Sequence, residues 1–145
     1  MSVGKKIPLP NGASRWQVRV LYADTDQMGV ANHGIYFRWF EAARAEFMRR
    51  RGTVYAEIEG MGLHFPVVET HVNYRSPVRY DEIIEVFAWL SDCGRAQCRF
   101  GYAIQKEGLV LAEGYTHHAV VSACGKPVRL PVDIKEALLG PEGTR

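Results

Sequence analysis

The chain has 145 residues, 47% of them hydrophobic and 23% charged; that length makes one domain rather than two, and that composition excludes intrinsic disorder. Its 18 basic and 16 acidic residues leave a formal charge of +2, too near balance for a dedicated nucleic-acid binder. The longest unbroken apolar run, Val86–Leu90, has five residues against the roughly twenty of a membrane span, and no apolar stretch follows the early lysines to make a secretory signal, so a cytoplasmic location is expected.

In chain order, Trp16, Val18, Val20 and Tyr22 alternate with Gln17, Arg19, Leu21 and Ala23. Period two with aromatic and β-branched residues predicts a strand over 16–23 with one buried face. The loop ADTDQMGVANHG follows, made largely of residues that favour turns. From Gly34 to Arg51 the period changes: Tyr36, Phe40, Ala43 and Phe47, with Ile35 and Trp39 beside them, share one helical face. Asn32 is placed to cap this helix and Gly52 to end it, while Arg49, Arg50 and Arg51 suit a solvated C-terminus. A weaker helical turn is predicted over 54–59.

Strands follow nearly to the end. One covers 68–75 and is broken by Pro77. The next, 83–90, is apolar on both faces, as a central strand is. Asp92–Gly94 reads as a turn, 96–105 as a strand, Glu107–Gly108 as a hairpin turn and 109–123 as one long strand. A turn at Gly125–Pro127 leads to a short closing helix over 131–139, with Pro131 near its start. Short turns between consecutive strands imply antiparallel pairing. One long helix on such a sheet is an α+β architecture, most compact as a curved sheet wrapped around one central helix. We expect a single domain over 1–145, with 1–15 as an N-terminal extension and a core of about 16–131. Cys93, Cys98 and Cys124 show no C-x-x-C spacing and read as three reduced thiols. His117 and His118 point to opposite faces of a strand, and His64 and His71 lack partner spacing, so no metal site is expected.

Chemistry concentrates in Tyr22–Arg44. A strand delivers Asp24 and Asp26 into a glycine-containing loop that ends at the start of the long helix. Unpaired N–H groups and the helix dipole there suit a polarised carbonyl or an oxyanion. A carboxylate nearby suits a general base or a nucleophile. The same residues are also ordinary turn and capping residues.

The pattern D-T-D-x-x-G-V-x-x-H-x-x-Y-x-x-x-x-E-x-A-R, spelled by Asp24 to Arg44, resembles the signature of the hotdog-fold acyl-CoA thioesterases. More narrowly it resembles the 4-hydroxybenzoyl-CoA thioesterase-like group, which includes the Tol–Pal-associated thioesterases. VNYRSPVRYDEIIEV (Val72–Val86) and GLVLAEGYTHHAVVSACGKPVRLP (Gly108–Pro131) resemble two further segments of that family, in the family's order. The resemblance implies a hotdog fold and hydrolysis of acyl-CoA thioesters, with coenzyme A part of the substrate and no other cofactor. It implies Asp26 as catalytic base or nucleophile and Asp24 as a loop residue. It implies His33 as the residue whose backbone N–H meets the thioester oxygen, with its ring orienting substrate. Gly29, Val30, Asn32 and Tyr36 would line or shape the substrate site. Asn32 departs from the aromatic residue frequent there, which bears on substrate shape. For Tyr36 and Glu41, packing and helix solvation are the plainer roles. Arg75 and the Arg49–Arg51 cluster are possible partners for coenzyme A phosphates, with a solvated helix end preferred for the cluster. The resemblance also implies a homodimer with joined sheets, often paired again into a homotetramer. A second subunit would then complete the acyl pocket, with Glu69 a candidate from the 67–69 stretch. A hotdog dehydratase or hydratase, or a hotdog protein that binds acyl-CoA without turnover, are the competing readings.

Overall fold

The computed structural model describes residues 9–143. Residues 1–8, the larger part of the expected extension, lie outside the described residues. The elements are β1 (Ser14–Arg19), α1 (Ile35–Arg49), α2 (Tyr55–Gly60), β2 (Leu63–His64), β3 (Val67–Tyr74), β4 (Ile83–Cys93), β5 (Gln97–Lys106), β6 (Leu109–Ala119), β7 (Val121–Ser122) and α3 (Val132–Leu139). The main sheet has the order β1-β4-β5-β6-β3, and every pairing in it is antiparallel. β2 and β7 form a separate two-stranded ribbon. This is the α+β hotdog architecture expected from the sequence. Among the described residues, no helix is long and apolar enough to cross a membrane.

Three strand ends and the placement of one side chain differ from expectation, each for a physical reason. β1 ends at Arg19 because Tyr22–Asp24 winds into a 3-10 turn, closed by Asp24 N–H to Leu21 C=O at 3.0 Å. β4 runs through the expected Asp92–Gly94 turn: an irregularity between Leu90 and Asp92 absorbs Ser91, and the hairpin closes later, with Gly94 N–H donating to Gln97 C=O. That places Cys93 opposite Cys98, free thiols whose sulfurs lie 3.6 Å apart. The expected long strand 109–123 divides at Val120, where the chain leaves β5 and pairs Val121 with His64 of β2. Arg51 is not a solvated helix end. It is 7% exposed, and its guanidinium donates to Ser14 Oγ and to the carbonyls of Gly12, Phe47 and Gly140. It thus ties both ends of the described chain to α1. Arg49 and Arg50 do stay at the surface, paired with Glu46.

One face of the sheet carries Ile84, Val86, Phe100, Tyr102 and Ile104, all fully buried, and α1 covers them with Trp39, Phe40, Ala43 and Phe47. Phe40 stacks on Tyr102 with ring centroids 4.3 Å apart and planes at 6°. Gly114 makes room for this arrangement, since a Cβ there would sit 2.1 Å from the His71 carbonyl oxygen and 3.0 Å from the Phe40 ring. β3 is the edge strand beside β6, and Val67 and Val68 on it are 46% and 62% exposed.

A polar chain crosses this core, and its direction is fixed from one end. The Phe65 carbonyl only accepts, so His118 Nδ1 carries the proton of the 2.9 Å bond between them. Neutral His118 Nε2 then accepts from Thr116 Oγ1 at 2.8 Å, Thr116 accepts from Tyr102 at 2.6 Å, and Tyr102 accepts from Arg44 Nη1 at 3.1 Å. Burial pulls the His118 imidazole down to about 4. The unfolded chain therefore binds a proton at His118 that the folded chain refuses, so stability is lost as pH falls from about 6.5 toward about 4. Between pH 7 and about pH 4.5 the expected loss from this group is about 2.5 kcal/mol. Urea unfolding at both pH values checks this, and the loss should shrink by about that amount in His118→Gln.

Candidate functional site

The loop between β1 and α1 uses its two aspartates differently. Asp24 is buried; its Oδ2 accepts the Leu21 N–H at 2.8 Å and its carbonyl accepts the Asn32 N–H at 2.9 Å. Its carboxylate is spent on holding the 3-10 turn. Asp26 is exposed and opens a tighter turn: its N–H donates to Val30 C=O at 2.9 Å and its carbonyl accepts the Gly29 N–H at 3.0 Å. Oδ1 accepts the Met28 N–H at 2.8 Å and the Val30 N–H at 3.4 Å. Among the described residues, Oδ2 has no partner. The turn needs a left-handed residue at its end, and Gly29 supplies it with φ +77°. The loop is braced from behind by Ala31 N–H to Val78 C=O at 2.7 Å and Tyr80 N–H to Gly29 C=O at 3.2 Å.

Asn32 caps the approach to α1 rather than α1 itself. Its Oδ1 accepts the Gly34 N–H at 3.0 Å and its carbonyl accepts the Ile35 N–H at 3.1 Å, so the helix proper begins at Ile35 behind Gly34. His33 sits inside this turn, and its N–H makes no hydrogen bond among the described residues.

Asp26, Val30, His33 and Tyr36 line one open cleft of about 270 Å³, together with Tyr74 and Arg75. Gly29 and Asn32 do not line it; they shape the turns beneath. Tyr36 is 3% exposed, and burial, then the neighbouring Tyr74, push its phenol up to about 12, so it stays neutral. Its ring packs against Trp39 and Tyr74. Glu69 lies elsewhere, bonded to the Tyr115 hydroxyl at 2.8 Å and 3.8 Å from Arg99. Its expected place was the cleft of a second subunit. Glu41 lines a different, larger cleft of about 360 Å³ with Arg44, Met48, Tyr55 and Phe65. That cleft contains neither Asp26 nor the helix start, so we assign the chemistry to the smaller one.

The residue that sequence reasoning missed is Tyr74. Along the chain it is only one of the alternating positions of a strand. Its hydroxyl donates to the His33 carbonyl at 3.1 Å, and its ring meets the rings of His33 and Tyr36 edge-on at 5.0 and 4.7 Å. Period two places Tyr74 on the same face as Thr70 and Val72, but no spacing along the chain reveals what that face meets. Arg75, singled out for its charge, bonds Glu113 through Nη2, and its buried Nε–H has no partner among the described residues.

Residues 20–138 match the model of the thioesterase-like superfamily. The chain is 32% identical over 131 residues to the acyl-CoA thioesterase YbgC of Haemophilus influenzae, covering 89% of this chain and 96% of that one. Among solved structures it is similar to the DHNA-CoA thioesterase of Staphylococcus aureus, at 34% identity and a TM-score of 0.82, covering 86% of this chain and 87% of the other. A hypothetical protein of Thermus thermophilus is similar at 40% identity and a TM-score of 0.83, covering 87% and 97%.

Proposed function

The chain belongs to the thioesterase-like superfamily, and we propose on that premise that it hydrolyses acyl-CoA thioesters to a free acid and coenzyme A. The activities named for its relatives support the reaction. One observation carries it to a site: the free Oδ2 of Asp26 and the unbonded N–H of His33 belong to residues of a single cleft at the start of α1. In this reading the His33 N–H and the helix N-terminus polarise the thioester carbonyl. Asp26 takes a proton from the attacking water and passes it to the departing coenzyme A sulfur; or it attacks the carbonyl, coenzyme A leaves as a thiolate that takes its proton from solvent, and water then cleaves the mixed anhydride to the free acid and the Asp26 carboxylate. Coenzyme A enters as part of the substrate, and the scheme uses no other cofactor or metal.

The working unit in this proposal is a homodimer. β3 leaves its outer edge without a strand partner among the described residues, and exposes Val67 and Val68 beside it. An edge of that kind pairs readily with a copy of itself. A partner there would bring the 67–69 stretch, with Glu69, toward the neighbouring cleft, and two such dimers would make a homotetramer. We place the enzyme in the cytoplasm. We infer its finer kinship, from the resemblance carried by Asp24 to Arg44, to be with the Tol–Pal-associated branch.

A thiol-release assay over a panel of aliphatic and aromatic acyl-CoAs tests the reaction. Release of coenzyme A is the expected result. Hydration of an enoyl-CoA without thiol release, or binding without turnover, would overturn it in favour of a hydratase or a binding protein.

A further inference from the structure

We propose that Tyr74 is a positioning residue that sets the carbonyl-polarising turn at His33. The inference rests on the thioesterase reading of the cleft, and it starts from the carbonyl just ahead of α1. His33 stands just ahead of the Gly34 cap, so its carbonyl takes no part in the helical ladder. In the first turn the Phe37 N–H goes to Gly34 C=O, at 3.3 Å, in the tighter i to i−3 pattern. The His33 carbonyl takes its hydrogen bond from the Tyr74 hydroxyl, at 3.1 Å. Tyr74 therefore anchors the 33–34 peptide at the entrance to the helix.

The hydroxyl is delivered from a stiff base. Tyr74 is the last residue of β3 and lies opposite Ala112. The next two residues, Arg75 and Ser76, both donate to Leu111 C=O, at 2.9 and 3.0 Å. Its ring meets the rings of both Tyr36 and His33, each nearly perpendicular. One side chain thus fixes both the main chain and the side chain of His33. Without the hydroxyl, the His33 carbonyl loses this anchor, and the adjoining peptides are free to rotate away from the geometry that the cleft uses.

Tyr74→Phe removes only the hydroxyl. Its expected effect is a kcat about three- to tenfold lower, the range for one lost neutral hydrogen bond, with KM within about twofold. Its melting temperature should stay near that of the wild type. Tyr74→Ala should cost more, because the His33 ring also loses its neighbour. In a His33→Ala background the loss from Tyr74→Phe should persist, since that bond goes to main chain, while the extra loss from Tyr74→Ala should vanish. A merely structural Tyr74 would lower the melting temperature and leave kcat per folded enzyme unchanged. Wild-type kcat in Tyr74→Phe, or a change in KM alone, overturns the proposal. Amide hydrogen exchange at residues 33–37 gives a second measurement independent of turnover: Tyr74→Phe should alter protection there, and unaltered protection also overturns it. If the wild type cleaves no thioester but the exchange changes as expected, the reaction assignment fails and the positioning contact stands.

Discussion

Asp26→Asn is expected to lower kcat/KM on the best acyl-CoA by about 10²–10⁴-fold, the range for losing a positioned base or nucleophile, while its urea midpoint stays within error of the wild type. The two halves of that expectation come from the two carboxylate oxygens. Oδ1 accepts the Met28 and Val30 N–H groups, which is the structural work of this side chain. An asparagine keeps that oxygen and so keeps the turn. Oδ2 has no partner among the described residues, and the substitution replaces it with an amide that neither takes a proton nor attacks a carbonyl. Asp24→Asn is the control. Asp24 spends Oδ2 on the Leu21 N–H and lies buried, so its variant should lose about 1 kcal/mol of stability and retain most of the turnover. Comparable kcat/KM losses in both variants would mean that loop integrity, not a free carboxylate, carries the activity, and would sink the role given to Asp26.

The sequence showed which residue types stand at the start of the helix but not what each is used for. Asp24 and Asp26 are two residues apart and chemically identical. Only the turns that they nucleate make one a cap and leave the other an open oxygen. The helix was legible because the positions of Tyr36, Phe40, Ala43 and Phe47 declare its buried face, and all four are buried. The strands were legible because period two survives even at an edge. Their ends were not, because β6 stops where its long-range partner changes and β1 stops where Asp24 closes a 3-10 turn through Leu21, and period two encodes neither. Tyr74 and Arg51 illustrate the same gap. Tyr74 meets the carbonyl of a residue 41 positions away. Arg51 is buried at a junction of Gly12, Ser14 and Gly140, although three consecutive arginines after a helix read as a solvated end. In both, the side chain's purpose depends on which distant segment folds against it.

The largest expected loss of stability is at Phe40. The ring is fully buried and stacked on Tyr102, and it sits where α1, β5 and the gap left by Gly114 in β6 come together. Phe40→Ala removes a whole ring from a site with little room to collapse, since the Tyr102 hydroxyl is held in place by Arg44 and Thr116. The expected cost is about 3–5 kcal/mol, a large share of the roughly 5–15 kcal/mol that holds a domain folded. Its urea midpoint should fall by about 1–3 M. Phe40→Leu keeps most of the volume and should cost about 1–2 kcal/mol. Activity should follow in a particular order. Phe40 lies two turns beyond His33 on the helix whose start carries the proposed N–H donor, and it anchors that helix to the sheet. A cavity there lets α1 shift against the sheet. Asp26, braced independently through Ala31 and Tyr80 to the 78–80 segment, would not shift with it. In Phe40→Leu, which stays folded, kcat should therefore drop while KM changes less, because the two halves of the site lose alignment before they lose substrate. A Phe40→Ala protein as stable as the wild type would place the centre of the core elsewhere.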